Sequence, residues 1–188
     1  MRLYAAGQEY VLENNSGVVE TVLDIINQAV EEQSLVFCGF QIDGEEYYGE
    51  LADLVTERGD SIETMVAIML TEEQLKEDTL LSVEQYLCNA LPLLETLYHD
   101  FYNGPSAETW NDLGKLIESI EWISKVAEYT DSHSILEYRE EVSNLEMAVN
   151  QQDTGLIGDI IQFEIIPRFE KARDALSPAK GGKSIDTN

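Results

Sequence analysis

Basic residues, cysteine, histidine and long apolar runs are all scarce in this chain, and each scarcity closes off a class of function. Eleven Lys and Arg stand against 37 Asp and Glu in 188 residues, a formal charge of −26. Such a surface repels phosphate backbones and anionic lipid, so no direct nucleic-acid binding and no membrane attachment is expected. No apolar run approaches the roughly 20 residues of a membrane helix, and the opening Met-Arg-Leu-Tyr-Ala-Ala-Gly lacks the apolar stretch of a signal peptide. The cytoplasm is the expected location. Only two cysteines are present, Cys38 and Cys88, in apolar patterns far apart in the chain. They read as two buried thiols in a reducing compartment rather than as a disulfide.

Catalytic signatures are also missing. His99 and His133 are the only histidine bases, neither cysteine has an electropositive setting, and no Gly-rich phosphate loop, CxxC pair or HExxH helix occurs. No cofactor is expected. Adjacent acids such as Glu45-Glu46, Glu72-Glu73 and Glu140-Glu141 read as solvated surface, because a catalytic carboxyl needs a shielded pocket to move its pKa. The metal candidates are Glu95 and His99, whose i, i+4 spacing sets both side chains on one helical face.

What is present is 44% hydrophobic residue content, enough for a substantial core. The acidity is spread along the chain: residues 1–71 carry 14 acids and two bases, and residues 72–176 carry 22 acids and seven bases. Around Gly7, the runs Arg2 to Ala6 and Gln8 to Leu12 suit a hairpin. An amphipathic helix follows, capped by Ser16, with Val19, Val22, Leu23, Ile26, Ala29 and Val30 on one side. Leu35 to Ile42, the turn Asp43-Gly44 and Glu45 to Tyr48 give a second hairpin. A short helix from Glu50 to Glu57 then leads through Gly59-Asp60 to a strand from Thr64 to Leu70.

Strand, strand, helix, strand, strand, short helix, strand is the order of the β-grasp fold. The stretch Leu35-Val36-Phe37-Cys38-Gly39-Phe40-Gln41-Ile42-Asp43-Gly44 resembles the third-strand region of ubiquitin-like domains, and Thr64 to Leu70 resembles their last strand. The resemblance implies a fold for about the first 70 residues and no more. Ubiquitin-type modifiers end in a free diglycine, whereas here Leu70 runs straight into a helix and Gly181-Gly182 is followed by six further residues. A conjugated modifier is not expected.

Thr71-Glu72-Glu73-Gln74 fits a capping box that opens a long helix. Leu80, Val83, Leu87, Ala90, Leu94, Leu97 and Phe101 then form one seam at alternating spacings of three and four, with a kink expected at Pro92. Ser106 caps a second helix to Tyr129, whose Trp110, Leu113, Leu116, Ile117, Ile120, Ile123 and Ala127 are apolar. Trp122, about 120° round that helix from Trp110, leaves one indole in the core and the other at an interface. A third helix spans Ser134 to Gln151. A fourth spans Thr154 to Leu176, with Leu156, Ile160, Phe163, Ile166 and Phe169 inward and a bend at Pro167. The run from Gly158 to Pro167 resembles a segment of uncharacterised bacterial proteins with a similar helical end. The expected architecture is α+β: a β-grasp domain over 1–71, an all-α four-helix bundle over 72–176 and a disordered tail over 177–188.

These features point to a non-enzymatic, acidic protein-binding adaptor or chaperone-like protein that acts on a protein partner or as a homodimer. The alternatives are an acidic mimic of nucleic acid that blocks a basic protein surface, and a carboxylate-rich metal-binding bundle. Strand alternation, with Leu3, Ala5, Leu35, Phe37, Val66 and Ile68 toward the helix, leaves Tyr4, Val36, Phe40, Met65, Ala67 and Met69 on the opposite face. That face is too apolar for solvent, so either the helical half covers it or it binds the partner through Tyr4, Val36, Phe40, Met65 and Met69.

Overall fold

A computed structural model of the chain describes residues 1–13, 15, 17–47, 49–58 and 61–177. The cap expected at Ser16, the turn at Gly59-Asp60, Gly181-Gly182 and the tail beyond Ser177 lie outside the described residues. The chain divides into two compact units, Met1–Leu75 and Lys76–Asn188.

In the first unit the strands β1 (Arg2–Ala5) and β2 (Gln8–Val11) are antiparallel and joined by Ala6 and Gly7. Both joining residues have positive φ, 48° and 77°, the signature of a type I′ turn whose twist matches that of the strands. Helix α1 (Val18–Gln33) ends at Ser34 in the left-handed region, and the chain enters β3 (Leu35–Ile42) at once. Asp43 and Gly44, with φ of 51° and 94°, repeat the I′ turn and lead into β4 (Glu45–Tyr47). Helix α2 (Leu51–Arg58) and strand β5 (Thr64–Thr71) complete the unit. The sheet order is β2-β1-β5-β3-β4, with β1 parallel to β5 and every other pair antiparallel. The core lies between the sheet and α1, where Leu3, Phe40, Ile42, Met65, Val22 and Ile26 are buried.

Facing in this sheet departs from the sequence expectation. Phe37 pairs with Met69, but Gly39 pairs with Ile68 and Phe40 with Ala67, so Cys38 is an extra residue in β3. This β-bulge, at a glycine with φ of 148°, lets Phe37 and Phe40 lie on one face of the strand, with ring centroids 4.9 Å apart. Leu3 pairs with Met65, which sets β5 so that Met65, Ala67 and Met69 face the core. Phe40 is 4% exposed and Met65 0%, so neither belongs to the outer face. Met69 also packs on the core, while Val66 and Ile68 stand opposite.

Where β5 passes into the next helix, the capping box forms as the spacing predicts: the Thr71 hydroxyl accepts from the Gln74 N–H at 3.1 Å, and the Gln74 side chain accepts from the Thr71 N–H at 3.0 Å. Helix α3 (Glu72–Asn103) runs through Pro92 without a break and buries Val83, Leu87, Ala90, Leu94, Leu97 and Phe101. Helix α4 (Ala107–Thr130) starts with a second capping box, Ser106 with Thr109. Both tryptophans lie at the core's rim, Trp110 37% and Trp122 39% exposed, so neither is a core residue. Each indole makes an edge-on contact instead, Trp110 with Phe101 and Trp122 with Tyr86.

The predicted third helix is two helices, α5 (His133–Leu136) and α6 (Arg139–Asn150). Extended backbone at Glu137 interrupts it, and the Tyr138 ring is buried edge-on to Phe169 with centroids 5.2 Å apart. The last stretch is α7 (Thr154–Ile160), a π-helical turn (Ile161–Ile165) and α8 (Ile166–Leu176). Pro167 has no N–H for the Phe163 carbonyl and its ring would clash there, which a widened turn relieves. The wider turn also keeps Ile157, Ile161, Ile165 and Phe169 on one buried stripe at spacings of four. Phe163, expected inward, is consequently 66% exposed.

Candidate functional site

Glu95 and His99 sit one turn apart on α3, both exposed, and the His99 ring lies against Tyr98 with centroids 4.3 Å apart. Among the described residues no group of three His, Cys, Asp or Glu is arranged to hold a metal ion. The cysteines differ from expectation: Cys38 is half-buried and Cys88 is exposed, because Cys88 lies one residue past the α3 seam. Desolvation, with the Glu84 charge and a 3.6 Å contact to its carboxylate, pushes the Cys88 thiol up, which disfavours the thiolate needed of a nucleophile. Glu45, Glu46, Glu72, Glu73 and Glu140 are exposed. Glu141 alone of the adjacent acids is half-buried.

Its partner is Arg168. The Arg168 guanidinium lies 3.2 Å from the Glu141 carboxylate, stands over the Tyr138 ring 5.6 Å from its centroid, and donates to the Glu137 carbonyl freed by the helix break. Burial raises the Tyr138 phenol well above its usual range, and its hydroxyl has no hydrogen-bond partner. These residues hold α6 against α8 and offer no nucleophile. Sequence reasoning misses them, although a lone base at the edge of an apolar helical stripe is the available signal.

Two concave surfaces lie on the helical unit. A cleft of about 390 Å³ is floored by Ile120, Ala127, Leu136 and Tyr138 and rimmed by Lys125 and Glu128. A groove of about 420 Å³ runs between α3 and α4, over Ala90, Leu94, Leu97 and Leu116, with Asp100 and Glu108 at its rim. On the sheet unit the face away from α1 carries Tyr4, Val36, Val66, Ile68 and Leu70 as neighbours on β1, β5 and β3, each half-buried. Of the five residues expected on that face, the structure keeps Tyr4 and Val36 there and removes Phe40, Met65 and Met69 to the core side.

The chain is thus an α+β protein with a five-stranded sheet in one unit and a helical second unit. No helix among the described residues is long and apolar enough to cross a membrane. It belongs to the family described as Domain of unknown function (DUF8042), whose model matches residues 78–175 and so covers most of the helical unit. No curated protein matches the chain. No solved structure matches it either.

Proposed function

We propose that this protein is a cytoplasmic, non-enzymatic, acidic protein-binding adaptor or chaperone-like protein whose partner docks on the outer face of the sheet. The observation that carries the reading is the run of apolar side chains on that face, Tyr4, Val36, Val66, Ile68 and Leu70, outside the core of their own unit. A sheet face in water ordinarily alternates polar residues outward, and β5 offers none between Thr64 and Thr71.

In this reading the N-terminal unit is a ubiquitin-like β-grasp domain. The order β2-β1-β5-β3-β4, the parallel central pair and the helix between two hairpins support it. The helical unit is a four-span bundle, with α5 and α6 together making the third span and α7 through α8 the fourth.

Affinity capture from the cell of origin, with wild-type protein beside an Ile68→Asp variant, tests the proposal. The proteins held by the wild type should be lost from the variant while the thermal melt falls by no more than a few degrees. An unchanged capture profile, or a variant that no longer folds, counts against a partner surface on this face.

A further inference from the structure

We propose that the groove between α3 and α4 is a second docking site, and that its occupant is a basic amphipathic helix of a protein partner. The groove lies in the helical unit and does not depend on the sheet face. Its floor is apolar, built from the buried Ala90, Leu94, Leu97 and Leu116. Ala90 lowers the wall midway, which lets another backbone approach there. On the lip stands Leu93, 70% exposed and outside the α3 seam, whose contacts a docked apolar stripe would complete.

The groove follows α3 from Tyr86 to Asp100, a rise of about 21 Å at 1.5 Å per residue, which four turns of helix fill. Charge decides the kind of helix. Three acids, Asp100, Glu108 and Asp112, meet one base, Lys115, at this rim. Asp112 hydrogen-bonds that lysine at 2.7 Å, and no ion pair among the described residues engages Asp100 or Glu108. With three carboxylates around one lysine the rim keeps an excess of negative charge, which fits Lys or Arg flanking an apolar stripe. A second copy of this chain, at −26, would bring like charge to the same rim and is disfavoured as the occupant.

The test uses a fluorescein-labelled peptide of about 18 residues, with Leu at i, i+3, i+4 and i+7 and Lys elsewhere, beside a scrambled peptide of the same composition. Fluorescence anisotropy at near-physiological salt should give the amphipathic peptide at least about tenfold tighter binding than the scramble. Leu93→Lys and Asp100→Lys, both at exposed positions, should each weaken it about tenfold without moving the melt. Glu140→Lys, outside the groove, should change it less than about twofold, and Ile68→Asp should bind as the wild type does. Equal binding of the scramble, a Glu140→Lys loss as large as that of Asp100→Lys, or no binding of the amphipathic peptide would each overturn the proposal. The first two results would mean only diffuse attraction to an acidic surface.

Discussion

Among the described residues, twelve buried apolar side chains fill the core of the sheet unit and 23 fill that of the helical unit, and the polar links of the two are arranged differently. In the sheet unit Asp43, at the tip of the β3-β4 hairpin, fastens the turn to the start of β5. Its carboxylate accepts from the Thr64 N–H at 2.7 Å, the Glu63 N–H at 3.1 Å and the Thr64 hydroxyl at 3.1 Å, and its own N–H donates to the Thr64 carbonyl. In the helical unit the links between helices are spread over several residues: the Tyr102 hydroxyl donates to Asp159 and Gln162, the Asn144 amide donates to Glu164, and Arg168 pairs with Glu141. The difference teaches that the smaller core gathers its long-range side-chain bonds at one turn, while the larger one is filled by almost twice as many side chains and crossed by links at several points.

The strongest break of that contrast is in volume. Phe169→Ala empties the site beside Tyr138 and should cost about 3–5 kcal/mol, and Leu87→Ala about 2–5 kcal/mol, in urea melts. A cost under about 1 kcal/mol at both sites would mean that the helical unit is not held by packing.

Gly158→Ala should cost less. A methyl there would come 2.7 Å from the Tyr102 ring, which rests on the glycine while its hydroxyl donates to Asp159 at 2.6 Å. Better helix propensity contributes about 1 kcal/mol, and displacing the ring costs about 1–3 kcal/mol, so the net sign should be a loss. The same variant has an optical readout. The Asp159 hydrogen bond, with desolvation, pushes the Tyr102 phenol up to about 12, and freeing the ring should return it toward 10 in an ultraviolet titration.

Polar stitching is broken at Asp43, where the backbone N–H of Thr64 is the first of the bonds holding the carboxyl below its ordinary value. A carboxyl with a lowered folded pKa contributes stability above its unfolded value near 3.9, and that contribution disappears as pH falls through the folded value. Asp43→Asn keeps an acceptor and the turn preference but removes the charge. The wild type should therefore lose stability more steeply than the variant below about pH 4, while the two differ by about 1 kcal/mol or less at pH 7. Parallel curves would remove Asp43 from the stitching. The smallest effects are Gly114→Ala, where open space next to α4 should allow a gain of about 0.5–1 kcal/mol, and His99→Ala, within about 0.5 kcal/mol of wild type.

Much of this architecture is legible wherever a period runs unbroken. The α3 seam keeps its three-and-four spacing from Leu80 to Phe101, and Gly7, Asp43-Gly44, Thr71-Gln74 and Ser106 carry their turns and caps in local chemistry. Legibility ends where one residue is inserted. The bulge at Cys38 and the π-turn at Ile161–Ile165 shift the phase of the residues after them, and their only local marks are Gly39 and Pro167. β5 is apolar at every position from Met65 to Leu70, so alternation alone cannot orient it, and its pairing with Leu3 and Ile42 does. Tyr4 and Val36 therefore stand on the outer face as simple alternation expects, while Phe40, Met65 and Met69 do not.

The two faces of this sheet give the most direct test of the account, through melts of Phe40→Asp and Ile68→Asp side by side with partner capture. Phe40→Asp buries a charge and should cost about 4 kcal/mol or more, whereas Ile68→Asp should cost only about 1 kcal/mol and still lose the partner. Equal destabilisation by the two, or full partner recovery with Ile68→Asp, would contradict a binding surface on the outer face.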